Sequence, residues 1–225
     1  MATSIGLIGG EPTLHPKFKE ILSITETFLK RNCNKGILFT NGVYLEKFLP
    51  FIPSEMDILL NINTPSAMTE EQWNKMNNTL SRLNLYGWLG TPRATIGCNI
   101  CMEIEDYSFL WDIVDKYNIN HVRTSVTAPT KTEYKNDKDK YYTLLIPRFL
   151  KFAKEAKKRN NTLGKDCNFN PFWYYKINED LQLVTEVLES PPGRDMIPHC
   201  GPVVDITPDF MASSCFGAYD LVNCA

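Results

Sequence analysis

The stretch Ile5-Gly6-Leu7-Ile8-Gly9-Gly10-Glu11-Pro12 decides how this chain is expected to fold. A short apolar run meets two glycines, an acid and a proline, which predicts a buried strand, a tight turn and the start of a helix. Glycine lets the backbone approach a ligand closely, and proline suits the first helical position. Glu11 is therefore expected after the carboxyl end of a strand, where α/β proteins place their ligands.

Downstream of this stretch, apolar runs alternate with helical periodicity, and Thr69 and Gln72 have the spacing of a capping box. Five strand-then-helix units in succession predict an α/β fold with a parallel sheet and right-handed crossovers. Strands are expected over 5–8, 36–42, 57–63, 93–101 and 121–127, and helices over 16–31, 44–49, 69–83, 106–117 and 138–159.

Beyond residue 160 the composition changes. Residues 1–160 are predicted to form the barrel-like α/β part, 161–190 a connecting segment with one helix over 179–188, and 191–225 a short module. In this module, two β stretches on either side of Thr207-Pro208-Asp209 predict a hairpin flanked by cysteines.

Composition excludes several classes of protein. The chain of 225 residues has 24 basic and 26 acidic side chains, a formal net charge of −2, which gives no reason to expect nucleic acid or an anionic membrane as partner. It has no apolar run of membrane-spanning length and no signal-peptide pattern, so a cytoplasmic location is expected.

The cysteines favour metal ligation or core packing over disulfides. Seven cysteines form an odd set, which argues against a closed disulfide framework. Cys98 and Cys101 form a CxxC, but they fall in a predicted strand, where the two side chains would point to opposite faces. We therefore do not expect a metal site at this pair.

Two motifs in this order carry a resemblance to a known family. Gly9-Gly10-Glu11-Pro12 resembles the Gly-Gly-Glu-Pro motif of radical S-adenosylmethionine (radical SAM) enzymes, and Thr40-Asn41-Gly42 resembles the Thr-Asn-Gly that ends their third strand. The resemblance implies a partial (βα) TIM-like barrel that binds S-adenosylmethionine, with Glu11 meeting the amino group of its methionine part. The implied cofactor-binding residues are Gly9, Gly10, Glu11, Pro12, Thr40, Asn41, Asn61, Asn63 and Arg123.

Two positions depart from the family pattern. Asn61 and Asn63 stand where relatives often carry a Ser-x-Asp that touches the cofactor ribose, so a carboxylate is missing there. Where peptide-modifying relatives have a carboxylate-holding arginine, only Lys75 is found. Arg123, at a later strand end, is proposed as the substitute on its chemistry.

The cysteine-flanked hairpin resembles the start of a SPASM domain, a module that binds auxiliary iron–sulfur clusters. The resemblance implies Cys200, Cys215 and Cys224 as metal ligands and a peptide or protein as substrate. Phe210 stands where the family usually has glycine, and the later cysteines of that module are absent.

The family's defining CxxxCxxC, whose thiolates bind a [4Fe–4S] cluster, does not occur in this sequence. The chain thus resembles a radical SAM protein without its first βα unit. The chemistry implied by the family is reductive cleavage of S-adenosylmethionine to a 5′-deoxyadenosyl radical that abstracts hydrogen from substrate. Without that unit, the strand near residues 4–8 would be an exposed edge, and self-association is expected.

Two other interpretations stay open. The chain could be a non-catalytic remnant or binding protein with structural zinc or no metal, which the missing CxxxCxxC favours. It could also be an unrelated phosphate-binding barrel, although it has neither Gly-x-Gly-x-x-Gly nor a P-loop lysine. Individually, Glu11 could serve a helix N-terminus, Asn41 and Asn63 could cap strand ends, and Arg123 could form a surface ion pair.

Overall fold

The computed structural model divides the chain into two compact units, which are described separately. One comprises Met1–Asn99, Ile104–Thr124 and Glu155–Lys165, and the other comprises Ile100–Glu103, Ser125–Lys154 and Asp166–Ala225. The residues described are 4–32, 35–101, 103–126, 138–159, 162–163, 169–170, 173–174, 176–177, 183–184, 205–206 and 212–213.

The fold is α/β, as predicted, and its centre is a six-stranded sheet in the order β1-β2-β3-β4-β5-β6. The pairs β1/β2, β2/β3, β3/β4 and β5/β6 are parallel. Strand order follows chain order, so right-handed crossovers place the connecting helices on one face of the sheet. The strands are β1 (Ser4–Leu7), β2 (Lys35–Thr40), β3 (Met56–Asn61), β4 (Ala94–Ile100), β5 (His121–Val126) and β6 (Thr162–Leu163).

Among the described residues, four α-helices lie close to their predicted positions, and Thr69 and Gln72 form the predicted capping box. The segment predicted as a helix over 44–49 is instead a 3-10 helix, Glu46–Phe51, with Pro50 inside it. Proline lacks the N–H that an α-helical interior needs. The helices are α1 (Phe18–Asn32), α2 (Glu70–Leu85), α3 (Ser108–Tyr117) and α4 (Lys138–Lys158), and shorter 3-10 helices span Pro12–Leu14 and Pro65–Ala67.

The two faces of the sheet have different surroundings. In β2 and β3 the even-numbered residues are buried, whereas the odd-numbered ones are half-exposed or exposed. A Cβ on Gly36 would lie 3.0 Å from Leu29 of α1 and 3.2 Å from Met56, so α1 packs against the even-numbered face. The odd-numbered face carries Ile37, Leu59 and Asn61 and remains partly open.

Short strands follow in the second unit. Leu183–Val184 (β10) pairs antiparallel with Lys176–Ile177 (β9), so the helix predicted over 179–188 is wrong at these two residues. Extended structure satisfies their backbone groups through the neighbouring strand and suits the β-branched Val184. Phe169–Asn170 (β7) pairs with Trp173–Tyr174 (β8), and Asp205–Ile206 (β11) with Ala212–Ser213 (β12).

Among the described helices, none has both the length and the apolar character needed to cross a bilayer. The domain boundaries expected at 160 and 190 stay predictions.

Candidate functional site

The turn after β1 is open on the side where a ligand could approach. Gly9 and Gly10 have φ of 109° and 48°, a backbone conformation that side-chain-bearing residues rarely adopt. A Cβ at either position would meet no atom within 4 Å. Pro12 begins the 3-10 helix as predicted, and Glu11 is its N-cap.

The Glu11 carboxylate is held by four hydrogen bonds. Oε1 accepts from the Thr13 backbone N–H at 3.2 Å, the Thr13 hydroxyl at 2.6 Å and the Thr40 hydroxyl at 2.6 Å. Oε2 accepts from the backbone N–H of Asn41 at 2.7 Å. An ionised carboxylate offers about four acceptor positions over its two oxygens. Oε1 is therefore crowded by donors, whereas Oε2 accepts a single bond among the described residues.

The turn after β2 is built to hold these donors. Thr40 is 4% exposed, and its hydroxyl accepts from the N–H of Gly42 at 3.1 Å while donating to Glu11. The side chain of Asn41 accepts from the N–H of Val43 at 2.9 Å, which closes an Asx turn. This bond leaves the backbone N–H of Asn41 directed at Glu11.

A buried threonine on α2 holds this turn in place through a hydrogen bond. Thr79 is 0% exposed, and its hydroxyl donates to the carbonyl of Gly42 at 2.7 Å. Gly42 has φ of 79°, and a Cβ there would lie 2.7 Å from Leu60. The turn that presents the Thr40 and Asn41 donors is therefore fixed by packing on both sides.

This arrangement suits a cation with hydrogen atoms to donate. The donors around Oε1 orient the carboxylate, Glu11 as a residue is half-exposed, and Oε2 accepts a single hydrogen bond among the described residues. Charge-assisted hydrogen bonds from an ammonium group are stronger than neutral ones. A carboxylate held in this way can accept a further hydrogen bond from a cationic donor such as an ammonium group.

The structure brings some of the predicted site residues together and leaves others apart. Thr40, Asn41 and the Gly9–Pro12 turn meet at Glu11. Asn61 ends β3, the strand next to β2, and its side chain is half-exposed, whereas Asn63 is exposed two residues later. Among the described residues, neither asparagine forms a hydrogen bond with Glu11.

Arg123 was predicted at a strand end, but it lies inside β5, which continues for three more residues to Val126. It lines a cleft of about 400 Å³ on the odd-numbered face of the sheet. Its carbonyl comes close to Gly97, where a Cβ would lie 2.4 Å from that oxygen. The cleft combines charged, polar and apolar groups: Ile37, Asp57, Ile58, Leu59, Gly90, Thr91, Pro92, Thr95, His121 and Arg123.

Thr13 belongs to the site but was not anticipated. Its hydroxyl and its backbone N–H both bind Glu11, two residues earlier in the chain. The pattern that could have revealed it is an acid followed two residues later by threonine at a helix start, since acidic side chains cap such N–H groups.

The predicted metal ligands Cys200, Cys215 and Cys224 lie outside the described residues. Within the described ranges, no group of three or more His, Cys, Asp or Glu side chains is placed to hold a metal ion. Cys98 is buried in β4, in keeping with core packing.

No family model matches this sequence, and no curated protein matches it. Among solved structures, similar chains include Streptococcus suis SuiB bound to S-adenosylmethionine, at 15% identity and a TM-score of 0.49, covering 72% of this chain and 38% of that one. SuiB bound to its precursor peptide SuiA has 17% identity and a TM-score of 0.48, covering 71% and 37%. SuiB alone has 15% identity and a TM-score of 0.46, covering 72% and 38%. This chain thus spans about two fifths of the length of the SuiB chains that it matches.

Proposed function

We propose that this chain is a radical SAM-type protein that binds S-adenosylmethionine at Glu11. The observation that carries this proposal is the half-exposed carboxylate of Glu11, which Thr13, Thr40 and Asn41 orient and whose Oε2 accepts a single hydrogen bond among the described residues. The ammonium of the methionine part donates to Oε2, and the bond is charge-assisted. The two glycines let the ligand come close to the backbone, because neither presents a side chain.

In this proposal the remaining predicted residues bind the rest of the cofactor. Asn61 and Asn63 hydrogen-bond the ribose, and Arg123 holds the carboxylate of the methionine part. Thr40 and Asn41 act differently, because their donors are already used on Glu11. They are positioning residues, and they keep the carboxylate aimed at the ligand.

The proposal includes the fold of the family, a partial (βα) barrel with the site at its carboxyl-terminal mouth. Sequential strand order supports this, since it puts the crossover helices outside and leaves the odd-numbered residues to line the inside. Gly9–Pro12 follows β1, and Thr40–Asn41 stands at the end of β2, which supports assigning both motifs to that mouth.

The proposal extends from cofactor binding to radical chemistry on a peptide or protein substrate. A [4Fe–4S] cluster supplies the electron for such chemistry in the family. The described residues do not fit that cluster, because they contain no suitable group of ligands, and the sequence has no CxxxCxxC. The residues assigned here therefore bind and orient S-adenosylmethionine, and the peptide substrate rests on the resemblance of residues 200–215 to a SPASM domain.

One observation favours a second candidate function. Because CxxxCxxC does not occur in the given sequence, we also consider a non-catalytic remnant or binding protein with structural zinc or no metal. Metal content separates the two candidates. After anaerobic reconstitution with iron and sulfide, we expect bound iron with acid-labile sulfide that Cys200→Ser, Cys215→Ser and Cys224→Ser together remove. Zinc alone, or no metal, would support the binding protein.

The site itself is tested by calorimetric titration with two ligands. Glu11→Gln should weaken S-adenosylmethionine binding roughly 10- to 100-fold, the value of a charge-assisted hydrogen bond. It should leave binding of 5′-methylthioadenosine unchanged, because that compound lacks the amino acid part. Glu26→Gln, an exposed change on α1, is the matched control. Equal binding of S-adenosylmethionine by wild type and Glu11→Gln would overturn the assignment of Glu11.

A further inference from the structure

The cleft that Arg123 lines contains polar groups for which the proposed cofactor site has no use. Its volume of about 400 Å³ is typical of sites for small molecules. Every residue that lines it belongs to the first unit, and the strands that build it, β2 to β5, are neighbours in the interior of the sheet order. The cleft therefore does not lie at an end strand of the sheet.

Three polar side chains of this cleft form a row across adjacent strands. Asp57 lies on β3, Thr95 on β4 and His121 on β5, and all three residues are half-buried. Within the described part of the chain, none of these three side chains makes a hydrogen bond. Polar groups that lose contact with water without gaining a partner are costly, so a ligand that supplies the missing hydrogen bonds is favoured here.

The two walls of the cleft carry opposite charges. Asp57 places a carboxylate on the β3 side, whereas Arg123 places a guanidinium on the β5 side, two residues after His121 and on the same face. Because β4 lies between them, the backbones of the two walls are about 10 Å apart. Arg93 also acts on Asp57 electrostatically, but its guanidinium donates to backbone carbonyls. A dipolar ligand with its cation toward β3 and its anion toward β5 matches this pattern.

Apolar side chains complete the lining beside the polar row. Ile37 on β2 and Leu59 on β3 are half-buried on the odd-numbered face, and Pro92 lies in the loop before β4. Removing their remaining apolar surface from water is favourable when a ligand covers them with an aliphatic group. The ligand that matches both features is small, carries both charges and has an aliphatic side chain.

We propose that this cleft binds a free α-amino acid with an aliphatic side chain. Its ammonium group donates to the carboxylate of Asp57, and its carboxylate accepts from the hydroxyl of Thr95 and from an N–H of the His121 imidazole. The contacts with the ligand's charged groups are charge-assisted hydrogen bonds, which are stronger than neutral ones. The aliphatic side chain packs on Ile37 and Leu59.

This amino acid site is separate from the site proposed at Glu11. Ile37, which lines the cleft from β2, precedes Thr40 by three residues, about 10 Å along the strand, and Thr40 is the residue that binds Glu11. Arg123 contributes charge to the cleft but none of the hydrogen bonds of this proposal. The inference therefore does not rest on the proposed function, and loss of S-adenosylmethionine binding would leave it unaffected.

Calorimetric titration of the wild-type chain with leucine and its blocked analogues tests the ligand class. Leucine should bind with a dissociation constant below about 1 mM. N-acetylleucine lacks the ammonium and leucinamide lacks the carboxylate, so each should bind at least about tenfold more weakly. Alanine should also bind about tenfold more weakly, because it lacks most of the aliphatic group. Preference for N-acetylleucinamide would indicate a residue within a peptide instead and would overturn the proposal.

Two variants test the location of the site. Asp57→Asn and His121→Gln should each weaken leucine binding about tenfold or more, and Asp57→Asn should leave S-adenosylmethionine binding unchanged. Asp112→Asn, at an exposed acid on α3, is the matched control and should bind leucine like the wild type. Circular dichroism should show that all variants keep the native helix content.

Nuclear magnetic resonance gives a measurement that needs no stable variant at Asp57. The chain has three histidines, so the imidazole signal of His121 can be identified by its loss in His121→Gln, and leucine should shift that signal in the wild type. A wild type that does not bind leucine at about 10 mM would overturn the proposal. Leucine binding that leaves the His121 signal in place, or that a folded Asp57→Asn retains in full, would overturn it as well.

Discussion

Asn41 donates its backbone N–H to Oε2 of Glu11 at 2.7 Å, and this bond joins residues 30 positions apart in the sequence. It connects the turn after β1 with the turn after β2, two neighbouring parallel strands. With the Thr40 hydroxyl on Oε1, it fixes both oxygens of the carboxylate. The candidate site therefore depends on the register of these two strands as much as on Glu11 itself.

Thr40 should be essential to the orientation of Glu11. Thr40→Val keeps the shape of the side chain but removes the hydroxyl that donates to Glu11 and accepts from the N–H of Gly42. We expect the free energy of unfolding to fall by about 1–3 kcal/mol, the cost of buried polar groups without partners. S-adenosylmethionine binding should weaken along with it. Urea titration followed by circular dichroism measures the first effect, and calorimetry measures the second.

Thr40→Ser is the control for that change, because serine keeps the hydroxyl. It should lower the free energy of unfolding by about 1 kcal/mol, because one buried methyl group is lost. The affinity for S-adenosylmethionine should stay close to that of the wild type. If Thr40→Ser lost binding to the same degree as Thr40→Val, the hydroxyl would not be what positions Glu11.

Thr79 should affect ligand binding indirectly, through the turn that carries Thr40 and Asn41. Thr79→Val leaves the buried carbonyl of Gly42 without its donor, and we expect a loss of about 1–3 kcal/mol in the free energy of unfolding. The turn that carries Thr40 and Asn41 should loosen, so that the dissociation constant for S-adenosylmethionine rises severalfold. Thr79→Ser should largely preserve both quantities. Unchanged stability in Thr79→Val would mean that another group takes over the carbonyl.

Gly42 should tolerate substitution less well than a glycine of similar conformation elsewhere. Gly42→Ala combines a positive φ with a Cβ that would lie 2.7 Å from Leu60. We expect it to lower the free energy of unfolding by about 3 kcal/mol. Gly87 has φ of 67° and open space at its Cβ position, so Gly87→Ala should cost about 1–2 kcal/mol. Equal losses would mean that Leu60 moves aside freely. Chemical denaturation of the two variants in parallel provides the comparison.

Arg93 should stabilise the loop before β3. Its guanidinium donates to the carbonyls of Ile52, Pro53, Ser54 and Met56, and it stacks on Trp88 with 4.6 Å from Cζ to the ring centre. Burial lowers the pKa of the Arg93 guanidinium, but the group stays charged near neutral pH.

Arg93→Lys should reduce the free energy of unfolding by about 2–3 kcal/mol, since one ammonium replaces neither the fork of donors nor the stacking. The control is Arg82→Lys, at an exposed residue paired with Glu46, which should change stability by less than about 0.5 kcal/mol. The midpoints of denaturant unfolding curves measure the stability of both variants. A lysine variant as stable as wild type would show that these carbonyls are satisfied without the arginine.

Much of the fold could be predicted from the sequence because its elements have strong local patterns. The apolar stripe of α1 (Phe18, Leu22 and Leu29) follows helical spacing, and the burial of β2 and β3 alternates with a period of two. The capping box of α2 was confirmed at Thr69 and Gln72. Where the local pattern was weak, the helical prediction was wrong at Leu183 and Val184, because these two residues pair as a strand.

The sequence by itself determined which residues follow each strand, since periodicity, glycines and prolines are local properties. It therefore placed Glu11 and Thr40 at the ends of successive strands, where a parallel sheet brings them to one edge. The contact of Thr13 with Glu11 is local, but only the tertiary structure decided that Asn41 also binds Glu11 and that Thr79 supports the turn. Hydrogen bonds form over about 3 Å, and such distances between residues 30 or more positions apart depend on strand register and helix packing, which no local pattern specifies.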